Sequence, residues 1–188
     1  MKNLLTLLLL SCTLPLLAQE WTFENTRSDW TDSSMLTVAE TPDGLEITST
    51  ALHPNLHAPQ VDFAPEGKNF LVVEYEATAP EAPIGGGFAF FGTSDDPMLD
   101  EEKKFYLPQL IVDGKPHRMV VDLQGKARAN AFAIWSNATA ITTLRLDFEP
   151  QPGTTMLVRS IQFLKLDEDE ALAELHPEEF AKGIPLRM

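Results

Sequence analysis

The chain has 188 residues, with 14 basic and 28 acidic side chains, a formal charge of −14 and a single cysteine. That acidity excludes a nucleic-acid surface, which needs a basic footprint, and it opposes docking on anionic lipid. One cysteine excludes a disulfide framework, so stability must come from a hydrophobic core.

The N-terminus reads as an address. Met1-Lys2 is a short positive start, Leu4 to Leu10 an apolar run too short to span a bilayer, and Pro15 and Ala18 lead to polar Gln19-Glu20. Residues 1–19 are therefore expected to be a cleaved secretory signal peptide, which makes the chain secreted or periplasmic. Leu9-Leu10-Ser11-Cys12 offers lipoprotein anchoring instead, but Cys12 comes early and inside the apolar run, so simple secretion ranks above it. Without the leader the chain has no cysteine, hence no thiol nucleophile or thiolate metal site. Nothing else in it reads as a membrane span.

From Trp21 to about Leu166 the pattern is all strand. Short alternating runs are expected near 21–25, 35–40, 44–50, 59–63, 69–78, 86–92, 104–112, 117–123, 130–136, 141–148 and 155–166. Pro42-Asp43-Gly44, Asp113-Gly114 and Pro152-Gly153 are turn signals between them. Gly85-Gly86-Gly87 precedes no helix and reads as a bulge or a close backbone approach. About ten strands with no helical period predict an all-β fold, a sandwich of two antiparallel sheets over residues 20–166. Connections 93–103 and 124–129 are long enough for Greek-key or jelly-roll crossings. Asp167 then changes the pattern. Residues 167–188 predict a short acidic helical tail: Asp167 with Glu170 forms a capping box, Leu172, Leu175 and Phe180 one apolar stripe, and Pro177 divides it. The tail either packs on the sandwich or docks another protein.

Three stretches together are similar to a known family: "WTFEN" followed by Trp30; "LHPNLHAPQVDF" after the strand "GLEITST"; and "FAIWSNATAITTLRLDFEPQPGTTMLVRSIQFL". They resemble the galactose-binding-like jelly-roll sandwich of carbohydrate-binding-module-like domains in secreted bacterial proteins. The resemblance implies a non-catalytic, glycan-binding role for residues 20–166 and a structural calcium near the first strand, involving Glu24. Polysaccharide or glycan is then the expected partner.

The residues suggest where such a ligand could sit. In "NAFAIWS", Phe132 and Ile134 share one strand face, and Ala131, Ala133 and Trp135 the other. If the first pair is core, Trp135 points outward over a shelf of alanines, ready to stack on a sugar's C–H face. The same alternation puts Phe91 outward with Ala89, opposite Phe88 and Phe90, and Tyr106 outward, opposite Phe105 and Leu107. In "ITTLRLDFEP", Leu144, Leu146 and Phe148 form the buried set, leaving Arg145 and Asp147 outward. They make either a solvated ion pair or a guanidinium and carboxylate that contact vicinal hydroxyls. The candidate ligand-binding set is Trp135, Arg145, Asp147, Phe91, Tyr106 and Asn137. Its alternative is that the aromatics are core and a face is assigned in reverse.

"TSDDPMLDEEKKF" gathers Asp95, Asp96, Asp100, Glu101 and Glu102 in one loop. Oxygen-rich loops bind calcium, so Asp95 and Asp96 join Glu24 as candidate metal ligands, though the alternating acids and central glycine of an EF-hand are missing and a solvated loop is the simpler reading. His53 and His57 lie four apart around Pro54, in a loop with no third ligand. Asn137-Ala138-Thr139 fits a glycosylation sequon. No Gly-x-Ser-x-Gly, His-Glu-x-x-His or phosphate-loop motif is present, which favours a binding protein over an enzyme. Two other functions remain open: a structural or assembly protein that uses the sandwich and residues 167–188, and a small polysaccharide-active hydrolase or lyase whose carboxylates meet only in space.

Overall fold

The computed structural model describes residues 19–22, 29–32, 35–83, 85–125, 128–148, 150–167 and 173. The leader with Cys12, Glu24, and the tail's Glu170, Leu172, Leu175, Pro177 and Phe180 lie outside the described residues.

Eleven strands and one helix are described. The strands are β1 (Gln19–Thr22), β2 (Thr31–Asp32), β3 (Leu36–Thr41), β4 (Gly44–Ser49), β5 (Asn55–His57), β6 (Phe70–Thr78), β7 (Gly87–Thr93), β8 (Lys104–Leu107), β9 (Asp113–Asp122), β10 (Ile141–Asp147) and β11 (Thr155–Leu164). Helix α1 (Ala129–Asn137) lies between β9 and β10. One sheet runs β3-β4-β11-β6-β9, with β1 also paired to β11; the other runs β2-β5-β10-β7-β8. Every strand pair is antiparallel, and from β4 onward the chain crosses repeatedly between the sheets. This is the expected jelly-roll β-sandwich.

The core lies between the sheets, and strand parity builds it. Leu144 and Leu146 of β10, with Phe148 just beyond, point inward against Leu71, Val73, Ile161 and Phe163 of the six-stranded sheet. A bulge between Val158 and Ser160 shifts the phase of β11, so Ser160 and Ile161 are both buried. The glycine run is a close approach, as expected. A Cβ on Gly86 would stand 2.1 Å from the Leu107 carbonyl oxygen, and one on Gly87 2.0 Å from that of Asp147.

Three expectations are corrected. Residues 130–136 are helix, not strand: the buried pair is Ala131 and Trp135, four apart, in a segment where alanine, the best helix former, recurs. The strand expected at 59–63 lies at β5 instead: Ala58 bonds to the Leu144 carbonyl (3.0 Å), Pro59 has no N–H to continue the ladder, and of 59–63 only Phe63 pairs again, as a single bridge to Ile141. His57 is therefore a strand residue, whereas His53 sits in a turn at φ 58°. β8 stops at Leu107, before Pro108, and β9 begins at Asp113 rather than 117.

Candidate functional site

The inward set on β10 leaves Thr143, Arg145 and Asp147 on the outer face of the five-stranded sheet. Register extends that face into two rows of four residues. One row is Asn55, Asp147, Phe88 and Tyr106; the other is His57, Arg145, Phe90 and Lys104. Each row crosses β5, β10, β7 and β8, so polar residues occupy one half of the face and aromatic residues with Lys104 the other.

The groups interlock. Arg145 donates from Nε and Nη2 to the two carboxylate oxygens of Asp147, each at 2.8 Å, and its guanidinium lies 4.3 Å from the Phe90 ring centroid. That bidentate fork fixes the guanidinium plane. Beside it, Phe88 and Phe90 are 5.9 Å apart between centroids, and Phe88 and Tyr106 5.2 Å. Tyr106 is the most exposed ring of the set, at 48%. Its backbone carbonyl accepts from Nη2 (2.9 Å) and Nε (3.3 Å) of Arg128. The Lys104 ammonium stands 4.2 Å from the Phe88 centroid and pairs with Glu101. Partial burial, then the neighbouring Arg145, hold the His57 pKa below its usual value, so at neutral pH it presents a neutral imidazole.

Of the six residues expected to bind ligand, Arg145, Asp147 and Tyr106 meet on this face. Trp135 and Phe91 do not. Trp135 is fully buried, with Phe91, Phe105, Phe63 and Phe163 around it at centroid distances of 4.9–5.9 Å, and its indole N–H donates to the Lys68 carbonyl at 3.0 Å. Phe91 is fully buried and stacks on Phe105. On β7 the faces were thus assigned in reverse: Ala89 and Phe91 point inward, Phe88 and Phe90 outward. "FAFF" carries an aromatic on both parities, so alternation alone could not choose; the pairing of Phe88 and Phe90 with the unambiguous Asp147 and Arg145 does. Asn137 ends α1, where its amide donates to the Ala133 carbonyl at 2.7 Å, and it serves the helix. Sequence reading missed Phe88, Phe90, Lys104, Asn55 and His57 as members of the face.

The acidic loop supplies its own cation. Lys103 is buried to 3% exposure, and its ammonium reaches Asp96 at 2.8 Å and Asp100 at 3.1 Å. Burial pulls the Lys103 pKa down, but bonds to the two carboxylates outweigh it and the net direction is up. The Asp96 carboxyl is correspondingly held below its usual range, chiefly by Lys103. Of the candidate metal ligands Asp95 and Asp96, Asp96 is thus engaged by the Lys103 ammonium, and no cluster of three metal-ligating groups forms among the described residues.

A second concavity, a cleft of about 240 Å³ beside β9, is lined by Tyr75, Pro108, Gln109, Ile111, His117 and Met119. Its polar groups hold the fold together: Tyr75 Oη accepts from the Ile111 N–H, Gln109 donates to the Pro83 carbonyl, and His117 pairs with Asp113.

No protein-family model and no curated protein sequence matches the chain. Solved structures similar to it include carbohydrate-binding modules. A family 29 module from Piromyces equi is 12% identical at a TM-score of 0.49, covering 85% of this chain and 98% of that one. A variant of another family 29 module, complexed with mannohexaose, is 8% identical at a TM-score of 0.48, covering 79% and 92%. The C-terminal family 6 module of a marine laminarinase from Zobellia galactanivorans is 8% identical at a TM-score of 0.41, covering 77% and 98%.

Proposed function

We propose that this protein is a secreted, non-catalytic glycan-binding protein whose site is the outer face of the five-stranded sheet. The observation that carries the reading is the pair of rows: a sheet face on which Tyr106 and Phe88 adjoin the bidentate Arg145–Asp147 fork, with Asn55 and neutral His57 beyond. Pyranose rings present C–H faces that stack on aromatics, and their vicinal hydroxyls match a fixed guanidinium, a carboxylate and an amide. Secretion rests on the leader-like residues 1–19. Binding without catalysis is supported by the two carboxylates described at this face, Asp147 and Glu101, which are both engaged in ion pairs. A glycosidase needs two carboxyl groups free to act on one bond.

Affinity electrophoresis of the purified protein through gels containing β-glucan, β-mannan, xylan, galactan or pectin, with and without calcium, tests this. At least one polysaccharide should retard the protein. Tyr106→Ala and Phe88→Ala should each weaken that binding about tenfold, equivalent to about 1.4 kcal/mol of lost stacking. Free migration through every gel, or two folded variants that bind like the parent, would sink the proposal.

A further inference from the structure

Lys104 lies on the edge strand β8 with its side chain directed to the outer face, where a lysine ordinarily extends into water. Its side chain is nevertheless only 12% exposed. The ammonium lies over Phe88 at 4.2 Å and within 5.7 Å of the Phe90 and Tyr106 centroids. Glu101 clamps it from the preceding turn. The backbone carrying Glu101 is itself fixed: Asp100 Oδ1 accepts from the N–H groups of Glu102 and Lys103, and the buried Lys103 ammonium ties Asp100 to Asp96. The loop therefore positions a clamp whose side chain is 82% exposed.

A sugar ring cannot stack on the side of Phe88 that an ammonium occupies. From this geometry we infer that Lys104 and Glu101 form a movable cover on the aromatic platform, which a ligand must displace to reach Phe88. The inference rests on the proposed glycan site and concerns its regulation. Four rotatable bonds let the lysine swing off the face together with Glu101. Phe88 and Tyr106, 5.2 Å apart, then form one continuous surface. Apparent affinity scales with the open fraction, so a platform open in about one molecule in ten binds about tenfold more weakly than one always open. Lys104 is on this account a residue that restrains binding, the opposite of a ligand contact.

The test has two arms. In the first, Lys104→Ala and Glu101→Gln are run in the polysaccharide gels beside the parent. Lys104→Ala should bind up to about tenfold more tightly, and Glu101→Gln should shift in the same direction by less. Unchanged or weaker binding of a folded Lys104→Ala protein overturns the cover and makes Lys104 a contact. The second arm needs no ligand: acrylamide quenching of a Phe88→Trp reporter, compared with Lys104 and with Lys104→Ala. Quenching should rise when the lysine is removed, and equal quenching overturns the cover. If no polysaccharide is bound by any variant, the glycan proposal fails, while the quenching result still decides the cover.

Discussion

Two residues of one type illustrate how position sets role. Lys103, just before β8, and Lys104, its first residue, are adjacent in sequence but their side chains go opposite ways, one buried and one to the outer face. Lys103 is an internal counter-ion for Asp96 and Asp100, and Lys104 lies over the outer aromatics. Trp135 shows the same dependence. Its ring joins both sheets, touching Phe163 from one and Phe91 and Phe105 from the other. Trp135→Ala should therefore cost about 3–5 kcal/mol of stability in urea denaturation. Trp135→Phe keeps most of the ring and loses the N–H bond to the Lys68 carbonyl, so it should cost nearer 1–3 kcal/mol. Neither folded variant should change glycan affinity. A stable Trp135→Ala protein with lost binding would return the indole to the site.

At the scale of elements, β10 was fully legible because its two parities differ in kind: leucines and phenylalanine against threonine, arginine and aspartate. β7 was not, since Phe88, Phe90 and Phe91 populate both parities and only cross-strand register decides between them. Helix α1 was misread because Ala131 and Trp135, four apart on one helical stripe, also fit a period of two with Ala133 between them, and only burial shows that Ala133 is exposed while Ala131 and Trp135 are not. The two-sheet fold was thus legible, together with Arg145 and Asp147 of the polar half of the face. Phe88 and Phe90 depended on pairing with Asp147 and Arg145, 59 and 55 residues further on, which no local pattern encodes. That contact can be tested. A Cβ on Gly87 would press on the Asp147 carbonyl oxygen, so Gly87→Ala must push β7 away from β10 at the row that holds Phe88 and Asp147. It should cost about 1–3 kcal/mol and weaken binding as well. Gly153→Ala, at φ 85° in the turn before β11, should cost about 1–2 kcal/mol and leave binding intact. Calorimetric unfolding and gel retardation on the same samples separate the two.

The two outer faces of the sandwich differ, and that difference is the argument for one ligand site on the whole molecule. Outside the six-stranded sheet, Glu76 pairs with Arg159 and Glu74 faces Arg118 at 3.8 Å, and among the described residues no exposed ring lies there. Outside the five-stranded sheet, Arg145 pairs with Asp147 as well, but on a floor of Phe90 and beside Phe88 and Tyr106. Both faces thus carry partly exposed arginine–carboxylate pairs, and neither Arg145–Asp147 nor Arg159–Glu76 should contribute more than about 1 kcal/mol to stability. Their removal should nevertheless differ in effect on binding. Arg145→Ala deletes the planar fork and the cover over Phe90, and polysaccharide affinity should fall about tenfold. Arg159→Ala should leave affinity within about twofold of the parent, as expected for a distant and independent site. Equal losses from the two variants would mean that the ligand wraps both sheets or responds only to net charge. A loss confined to Arg145→Ala assigns recognition to the five-stranded sheet.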